Sequence, residues 1–338
     1  MIRQVTLGQT GLKIAPLVYG TLTLGPLQAN LSPQVGGRLI RFALEHGVNM
    51  LDTAELYATY PHIRAALDGY QGEVLIASKT HAGDAATARL HVESGLRALG
   101  RESFEIVHIH GATLQDPFIE REGVFHELLK MREEGKLRFI GLSGHYIKAL
   151  RKALEQPEIA VVHPLINQAG RGIRDGSAAE MAALIGELSR AGKGIYAMKA
   201  LAGGNLISQA RVSINYVTSL PGVDALAIGM SSEEQILANL DLVCHGHGEH
   251  PRWVKLENER RQIKVMTMFC KGCGHCVPEC TNNALRIVNG KALVDEESCL
   301  LCGYCVPACP EFMIRIFSSS DSCSFVHVAG NVRRHIAF

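Results

Sequence analysis

Residues 74–110 read VLIASKTHAGDAATARLHVESGLRALGRESFEIVHIH. The stretch Val74–Lys79 is a short apolar run of strand length, Ala86–Leu99 has the periodicity of an amphipathic helix, and Ile106–His110 is a second apolar run. A strand, a helix and a strand in this order form a unit whose two strands lie parallel in one sheet. This stretch therefore predicts a parallel α/β fold.

The same unit recurs over residues 1–250, which hold eight predicted strands, each followed by a helical pattern. The strands are Leu17–Thr21, Asn49–Thr53, Val74–Lys79, Ile106–His110, Arg138–Ser143, Ala160–Ile166, Gly194–Lys199 and Ala225–Gly229. The helices are Val35–His46, His62–Leu67, Ala86–Leu99, Gly123–Glu134, Ile147–Glu155, Ala178–Arg190, Asn205–Ser219 and Glu233–Val243. Eight β/α units in about 245 residues match the closed (β/α)8 TIM barrel in number and size. The rival fold, an open doubly wound sheet, more often has a G-x-G-x-x-G turn after its first strand, whereas this chain has Gly20-Thr21-Leu22-Thr23 there.

The composition restricts the class of protein. Of 338 residues, 47% are hydrophobic and 20% are charged, which excludes a wholly disordered chain. A net charge of +1, from 34 basic and 33 acidic residues, gives no electrostatic case for a nucleic-acid or membrane-surface partner. The sequence shows no apolar run long enough to span a bilayer and no signal-peptide pattern, so we expect a cytoplasmic protein.

Polar residues stand at the carboxyl ends of three consecutive predicted strands. Asp52 ends the second strand, and Tyr57 follows it five residues later. Lys79 ends the third strand and His110 ends the fourth. Singly, each has an ordinary structural role, such as a capping aspartate, a solvated lysine or a core histidine. Because chemistry in β/α barrels lies at the carboxyl ends of the strands, the four together predict a catalytic site.

These four side chains suit the protonation of an alkoxide as a hydride reaches a carbonyl carbon. A tyrosine has an ordinary pKa near 10, and the ammonium of Lys79 is expected to lower the pKa of Tyr57. Asp52 would hold Lys79 in place and keep it charged. His110 would orient a carbonyl oxygen or help to relay a proton.

Several stretches resemble the aldo-keto reductase family, and the resemblance spans most of residues 1–243. They are Asp52-Thr53-Ala54-Glu55-Leu56-Tyr57, Ala77-Ser78-Lys79, Ile109-His110-Gly111, Phe139-Ile140-Gly141-Leu142-Ser143-Gly144, and Gly229-Met230-Ser231-Ser232 with Asn239. The resemblance implies a barrel that binds NAD(P)H across its mouth without a glycine-rich phosphate loop. Tyr57 would be the general acid, supported by Asp52, Lys79 and His110. The implied cofactor contacts are Gly20, Thr21, Asp52, Ser143, His163, Met198, Met230 and Asn239.

Four positions depart from the family pattern. His163 stands where many members carry a glutamine for the carboxamide, and Met198 where many stack a tyrosine on the nicotinamide. Gly229 and Gln235 stand where NADP-specific members place a lysine and an arginine. Because the 2′-phosphate needs cations, we predict weak discrimination between the two nicotinamides or a preference for NADH. The departures at His163 and Met198 leave a flavin at the mouth as an alternative, although nothing in the sequence indicates one.

Further residues around the predicted mouth bear on the subgroup and on the substrate. Met198-Lys199 and Ala202-Gly203-Gly204 resemble a subgroup of the family that carries iron–sulfur tails. Arg171 and Arg174 follow the sixth strand, where they would meet an anionic substrate or belong to a solvated loop. The loops are short, so the sequence does not define a substrate pocket.

Eight of the ten cysteines lie between Cys270 and Cys309. A secreted protein spreads its cysteines through the fold, so this concentration favours a metal or cluster site. The two runs are Cys270-x2-Cys273-x2-Cys276-x3-Cys280 and Cys299-x2-Cys302-x2-Cys305-x3-Cys309-Pro310, offset by 29 residues throughout. The segment is therefore an internal duplication.

This spacing is that of bacterial ferredoxins with two [4Fe–4S] clusters, in which the fourth cysteine of each run ligates the other cluster. The predicted ligand sets are Cys270, Cys273, Cys276 and Cys309 for the first cluster and Cys280, Cys299, Cys302 and Cys305 for the second. We expect about eight iron and eight sulfide ions per chain. Structural zinc is the alternative, but zinc sites usually pair two cysteines with two further ligands across a gap.

These patterns divide the chain into four predicted segments. Residues 1–244 form the barrel, 245–264 a linker, 265–317 a small α+β ferredoxin-like domain with two clusters, and 318–338 a C-terminal tail. The linker begins with a histidine- and glycine-rich stretch, which could bind a metal but whose composition is typical of a linker. Asn289-Gly290 predicts a hairpin turn, and Cys244 and Cys323 are expected to be buried thiols.

Two functional hypotheses follow. The first is an aldo-keto reductase-like oxidoreductase that transfers a hydride between NAD(P)H and a small carbonyl or quinone-like substrate, with the two clusters for electron transfer. The second is a nicotinamide- or flavin-binding docking module whose clusters serve a redox protein partner, without carbonyl reduction. A blander version makes the clusters structural staples only. The complete tetrad favours the enzyme, because a binding module has no need for all four groups.

Overall fold

The computed structural model describes residues 2–249 and 251–318. The predicted C-terminal tail beyond residue 318, with Cys323, lies outside the described residues. In the described part of the chain, no helix is both long and apolar enough to span a bilayer.

The strands alternate with helices through the first three quarters of the chain. The strands are β1 (Val5–Thr6), β2 (Lys13–Ile14), β3 (Leu17–Gly20), β4 (Met50–Asp52), β5 (Leu75–Thr80), β6 (Phe104–Gly111), β7 (Leu137–Gly144), β8 (Ile159–Pro164), β9 (Gly194–Met198), β10 (Ala225–Gly229), β11 (Arg261–Val265), β12 (Leu285–Val288), β13 (Lys291–Val294) and β14 (Ile314–Ser318). The α-helices are α1 (Pro33–Glu45), α2 (Tyr60–Leu67), α3 (Ala85–Leu99), α4 (Pro117–Glu120), α5 (Glu122–Glu133), α6 (Ile147–Arg151), α7 (Ala178–Arg190), α8 (Ala210–Thr218), α9 (Glu233–His245) and α10 (Arg252–Leu256). Short 3₁₀ helices cover Thr21–Leu24, Glu55–Tyr57, Lys152–Leu154, Ala202–Gly204 and Ile207–Gln209.

Strands β3 to β10 close into an eight-stranded parallel barrel, in which β10 pairs with β3. The eight strands predicted from the apolar runs are all present, so the predicted TIM barrel is confirmed. The alternation produces this fold because each parallel strand needs a crossover, and the crossover helices cover the outer face of the sheet.

Local signals set the limits of the barrel helices. Ser177 and Glu180 form a reciprocal capping box at the start of α7, where each side chain binds the other's backbone N–H. Asp84 accepts from the backbone N–H of Thr87 at 2.9 Å and caps α3, which ends at Gly100 in the left-handed region with φ 64°.

The hairpin of β1 and β2 closes the amino end of the barrel. Its loop and second strand bury Leu7, Leu12 and Ile14 against inward side chains of the barrel strands such as Met50 and Ile106. This end is therefore a packed apolar plug, and the polar residues of the strands are left to the carboxyl end.

The C-terminal segment forms two small antiparallel sheets, β11 with β14 and β12 with β13, around the two cysteine runs. The predicted turn at Asn289-Gly290 joins β12 to β13, with both residues at positive φ. The stretch predicted as a linker contains α10, whose Trp253 and Leu256 are buried with the main barrel core. The limits of the four segments stay a prediction.

Candidate active site and cluster sites

A buried ion pair lies inside the mouth of the barrel. Lys79 Nζ contacts both carboxylate oxygens of Asp52 at 2.7 Å and the carbonyl oxygen of Thr53 at 2.8 Å. Strand β5 brings Lys79 there because its register places Ala77 beside Asp52 of β4. Burial lowers the pKa of Lys79, and the Asp52 carboxylate opposes that effect. The predicted pairing of these two residues is thus seen in the structure.

Two further side chains join this pair, and the sequence analysis missed both. Tyr196 donates from its hydroxyl to Oδ1 of Asp52 at 2.9 Å, and the same hydroxyl lies 2.6 Å from Nε2 of His108. Strand alternation could have found His108, because residues 108 and 110 of β6 share a face with period two. Gly141 on β7 makes the room, since a Cβ there would overlap the His108 ring.

The predicted general acid, Tyr57, ends a 3₁₀ helix that follows β4. Lys79 Nζ lies 5.1 Å from its ring centroid, and the His110 ring lies edge-on to it at 6.1 Å. The structure thus brings the four predicted catalytic residues together. Burial, more than any charge, raises the pKa of Tyr57 well above its usual value. This direction is opposite to the lowering of the Tyr57 pKa that was expected from Lys79.

The histidines at the mouth are neutral. Burial is the main cause that holds the pKa values of His108, His110, His145 and His163 well below the ordinary value, and the Lys79 or Lys199 ammonium adds to it. A neutral His110 offers one donor nitrogen and one acceptor nitrogen, which suits orienting a carbonyl oxygen.

The residues implied as cofactor contacts lie at the same end of the barrel. All but one lie within one residue of the carboxyl end of a barrel strand, namely Gly20, Thr21, Asp52, Ser143, His163, Met198 and Met230, and Asn239 lies on α9. His163 turns its Nδ1 to the carbonyl oxygen of Tyr196 at 2.5 Å and stacks on that ring. Oδ1 of Asn239 is buried without a hydrogen-bond partner, so it is free to accept from a ligand.

One side chain from outside the barrel reaches the predicted 2′-phosphate position. Glu259, which follows α10, accepts from Nε2 of Gln235 at 3.3 Å. Gln235 also accepts from the backbone N–H of Ser231 at 2.8 Å. The Glu259 carboxylate thus lies beside Gln235, and Lys255 and Arg261 bring positive charge near the same carboxylate.

The cysteines line two pockets in the C-terminal segment. The first is lined by Cys270, Cys273, Cys276 and Cys309, and the second by Cys280, Cys299, Cys302 and Cys305. These are the two predicted ligand sets, with the fourth cysteine of each run crossing to the other pocket. Backbone N–H groups already point at sulfur, as Ala284 does toward Cys280 at 3.1 Å, so the donor set fits thiolate-ligated clusters.

The second cysteine run lies directly on the barrel mouth. Tyr304, between Cys302 and Cys305, packs with Tyr57 in one apolar cluster and shares a hydrogen bond with its hydroxyl. Its ring lies 6.5 Å from that of His110, edge-on. The predicted catalytic tyrosine and the second cluster pocket are therefore separated by a single side chain.

Backbone carbonyls of the cysteine domain are held by side chains of the barrel loops. Asn205 donates to the carbonyl oxygen of Cys299 at 3.0 Å, and Arg171 donates to the carbonyls of Cys299 and Glu296. Arg171 thus connects the barrel to the cysteine domain. The sequence had suggested either contact with an anionic substrate or a solvated loop, and neither interpretation included this role. Arg174 contacts the Tyr146 hydroxyl at 3.4 Å.

Comparison with known families matches two parts of the chain. Residues 16–206, more than half of the chain, match the model of the aldo/keto reductase family, and residues 252–314 match that of a 4Fe-4S dicluster domain. A curated relative from Glycine max, "Probable aldo-keto reductase 1", is 28% identical over 180 residues. That match covers 48% of this chain, and the chain spans about half the length of this relative, 49%.

Two solved structures share the barrel. A proposed aldo-keto reductase from Pseudomonas aeruginosa aligns with a TM-score of 0.61 and 24% identity, covering 72% of this chain and 94% of that one. The holo form of the aldo-keto reductase AKR11C1 from Bacillus halodurans aligns with a TM-score of 0.60 and 19% identity, covering 76% and 96%. At 24% and 19% sequence identity, these two structures support the fold assignment alone. With its family match and its paired cysteine runs, the chain belongs to the aldo/keto reductase family and carries a 4Fe-4S dicluster domain.

Proposed function

We propose that this oxidoreductase reduces a small carbonyl or quinone-like substrate at the barrel mouth, with NAD(P)H as hydride source and Tyr57 as proton donor. Two [4Fe–4S] clusters would carry electrons to or from that site. The observation that supports the proton-donor role is the position of Tyr57, whose ring centroid lies 5.1 Å from Lys79 Nζ and 6.1 Å from the edge-on His110 ring. Tyr304, which lies between two cysteines of the second run and packs with Tyr57, supports the link to the clusters.

Tyr57 is suited to hold a proton until negative charge develops beside it. Burial keeps its phenol neutral, because a phenolate in this apolar surrounding would be costly. The ammonium of Lys79, 5.1 Å from the Tyr57 ring centroid, would stabilise the negative charge that develops on the phenol oxygen as the proton leaves. Asp52 keeps Lys79 in place, and His110 would orient the substrate oxygen.

The residues of the mouth fit a nicotinamide in one testable respect. The buried Oδ1 of Asn239 lacks a donor, and an amino group of a bound nucleotide can supply it. Gly20, Thr21, Ser143, His163, Met198 and Met230 would line the rest of the site. When bound, the nicotinamide supplies a hydride. This chain's part is to exclude water with Tyr304 and to deliver the proton from Tyr57.

The two cysteine sites differ in where they lie, and this favours a direction for electrons. Cys273 of the first site is exposed, whereas the second site touches the barrel mouth through Tyr304. The first site would therefore exchange electrons with a redox partner, and the second with a quinone-like substrate, which can accept or release electrons one at a time; a carbonyl reduced by hydride and proton would leave the clusters unused. When bound, each cluster supplies one-electron chemistry.

The second candidate function is a docking module whose clusters serve a partner without carbonyl reduction. The cover of Tyr304 over Tyr57 favours it, since a substrate must displace or lie beside that ring. The two candidates differ in turnover: only the enzyme consumes NAD(P)H when purified protein meets a carbonyl or quinone panel.

Replacement of Tyr57 by Phe tests the enzymatic proposal. Tyr57→Phe removes the proton but keeps the ring, so we expect at least about a hundredfold loss of kcat on aldehydes and quinones with unchanged cofactor affinity. Tyr60→Phe is the matched control, because Tyr60 is also buried nearby but binds Ser78 at 2.7 Å instead of facing the mouth. A Tyr57→Phe variant as fast as the parent would refute the assignment.

A further inference from the structure

Glu55, His81 and His91 bring one carboxylate and two imidazoles to one point beside the mouth. One ligand atom of each lies within 4.8 Å of the other two. Oε2 of Glu55 is 3.3 Å from Nδ1 of His81 and 3.9 Å from Nε2 of His91. The three residues come from separate elements. Glu55 begins the 3₁₀ helix Glu55–Tyr57, His81 follows β5, and His91 lies on α3. None of them belongs to the tetrad or to the cysteine sites.

His91 is held so that one nitrogen faces the cluster. Its Nδ1 lies 2.9 Å from Oγ1 of Thr80, and the same hydroxyl oxygen accepts from the backbone N–H of Ala82 at 3.2 Å. When Nε2 ligates a metal, Nδ1 carries the proton and donates it to Thr80. A second hydrogen bond of this kind is what fixes the ring of a metal-ligating histidine.

Glu55 supplies the feature that an ordinary surface contact leaves unexplained. Oε2 of Glu55 is covered although the side chain as a whole is 32% exposed, and neither imidazole nitrogen near it makes a hydrogen bond of good geometry to it. A buried carboxylate oxygen without a donor is costly, and such groups are uncommon in native structures. Arg121 and Glu279 also lie near His81, with opposite charges.

We propose that Glu55, His81 and His91 form a binding site for a divalent transition-metal ion of the zinc class. Two imidazoles and one carboxylate are a donor set that such ions prefer, and three protein ligands leave a fourth position for water. Bond lengths near 2.0–2.1 Å require ligand atoms about 3.4 Å apart in a tetrahedron. The two distances from Oε2 of Glu55 to the imidazole nitrogens, 3.3 and 3.9 Å, lie near that value, and the side chain of His81, which is 44% exposed, can move to close the third.

The ion would act as a positioning element for the segment that carries Tyr57. Glu55 begins the 3₁₀ helix that Tyr57 ends, and Ala58 after it is in the left-handed region with φ 54°. A metal bond from Glu55 to α3 and to the loop after Lys79 would tie this strained turn to the barrel. The inference concerns metal binding and does not depend on the proposed reaction.

The test uses full-length protein with both clusters loaded, equilibrated anaerobically with Zn²⁺ alone and freed of excess. We expect about one zinc per chain without loss of iron, and an absorption-edge spectrum with only nitrogen and oxygen neighbours at about 2.0–2.1 Å. Glu55→Gln and His91→Ala should each weaken zinc binding at least about tenfold, and Thr80→Val about tenfold through the lost second hydrogen bond. Tyr57-region hydrogen exchange should slow with zinc in the parent only.

Two controls separate this site from other histidines and from the cysteines. His126→Ala changes a side chain that is 60% exposed and pairs with Glu122 outside the three proposed ligands, and His247→Ala changes the histidine-rich stretch after α9; neither should alter zinc affinity. Sulfur neighbours at about 2.3 Å would place the zinc at the cysteines instead. That result, no zinc retained, or equal affinity in Glu55→Gln and His91→Ala variants that keep their helical content and iron, would overturn the proposal.

Discussion

Single side chains at the barrel mouth depend on each other for their protonation states. Because Tyr196 donates to Asp52, Nε2 of His108 carries its proton and donates to the Tyr196 hydroxyl. Nδ1 of His108 is then a bare acceptor, in agreement with its lack of a partner. The hydrogen-bond series that runs from Lys79 through Asp52 and Tyr196 therefore ends at a neutral His108. Protonation of His108 in acid would be the first change in this series.

The buried histidines predict a loss of stability in acid. The pKa values of His108, His145 and His163 are held below the unfolded value of about 6.5. Between the folded and unfolded pKa values the unfolded chain binds more protons. The contribution of these neutral histidines to the free energy of unfolding is therefore fully present above about pH 6.5. Below that pH, the free energy of unfolding falls by up to about 1.4 kcal/mol per pH unit for each histidine.

Urea unfolding between about pH 7.5 and 5.5, followed by far-ultraviolet circular dichroism, measures this slope. His163→Gln removes one of these groups. It should lower the slope of the free energy of unfolding against pH by about 1.4 kcal/mol per pH unit, which corresponds to about one proton. His126→Ala is the control, because its ring is exposed. A free energy of unfolding that stays level or rises on acidification would contradict the neutral state of these rings.

The carboxylate of Glu259 predicts a preference between the two nicotinamides. Glu259 meets Gln235 at the position that would face a 2′-phosphate. Glu259→Gln should raise affinity for NADPH about fivefold near neutral pH, the effect of about 1 kcal/mol of like-charge repulsion, and leave affinity for NADH unchanged. Glu158→Gln, a change of the same charge before β8 at the other end of the barrel, is the control.

Fluorescence titration with both nucleotides measures this effect. The parent protein should bind NADH at least as tightly as NADPH. A dissociation constant for NADPH tenfold or more below that for NADH would contradict the prediction, since other residues of the chain would then supply the cations that the 2′-phosphate requires.

The two cysteine runs are near copies of each other that the fold uses differently. Gly274 and Gly303 are equivalent across the repeat and have similar φ angles, 81° and 87°. A Cβ on Gly274 would meet no atom within 4 Å, whereas one on Gly303 would overlap the carbonyl oxygen of Leu27. The next residues are His275, which is exposed, and Tyr304, which covers Tyr57. Only the second run is shaped to lie on the barrel.

This pair of glycines predicts a variant that separates the two domains. Gly303→Ala and Gly274→Ala carry the same backbone strain, about 1–3 kcal/mol each. Only Gly303→Ala also clashes with the barrel, so only it should lift the second run from the mouth. Hydrogen exchange measured by mass spectrometry should then quicken at residues 21–28 and 299–304.

The matched variant Gly274→Ala should leave exchange at those segments as in the parent. Both variants should be compared at equal iron content, because lost clusters would loosen either run. Equal exchange in the two variants would mean that the close approach of Gly303 to Leu27 does not hold the domains together.

The molecule as a unit joins a two-electron site to two one-electron sites. A nicotinamide gives up a hydride, whereas each four-iron cluster accepts one electron. Tyr304 brings the second cluster site against the mouth, but proximity does not remove the need for a relay that accepts two electrons and releases them singly. A flavin or a quinone-like substrate is such a relay.

We therefore predict that NADH or NADPH alone will not bleach the cluster absorbance on the timescale of turnover. Dithionite should bleach it at once, and addition of a quinone or an external flavin should couple the nicotinamide to the clusters. Anaerobic stopped-flow mixing, on protein shown to be free of flavin, measures these rates. Rapid bleaching by the nicotinamide alone would show that the chain supplies a relay of its own.

The barrel and the cysteine sites could be predicted from the sequence because both have short-range signatures. Apolar runs and helical periodicity report burial of a face within a few residues, and they predicted all eight barrel strands. The residues Asp52, Lys79 and His110 could be placed together because parallel strands end at one edge of a barrel. The spacing of the cysteines likewise limits their ligand sets within a single segment.

Contacts between distant segments could not be predicted in this way. The sequence does not state that Tyr196 reaches Asp52 across 144 positions, or that Arg171 holds the carbonyl of Cys299 across 128. Periodicity identifies a buried face but not the segment that covers it. For the same reason the two cysteine runs look alike in sequence, and only the tertiary structure, through the close approach of Gly303 to Leu27, decides which of them covers Tyr57.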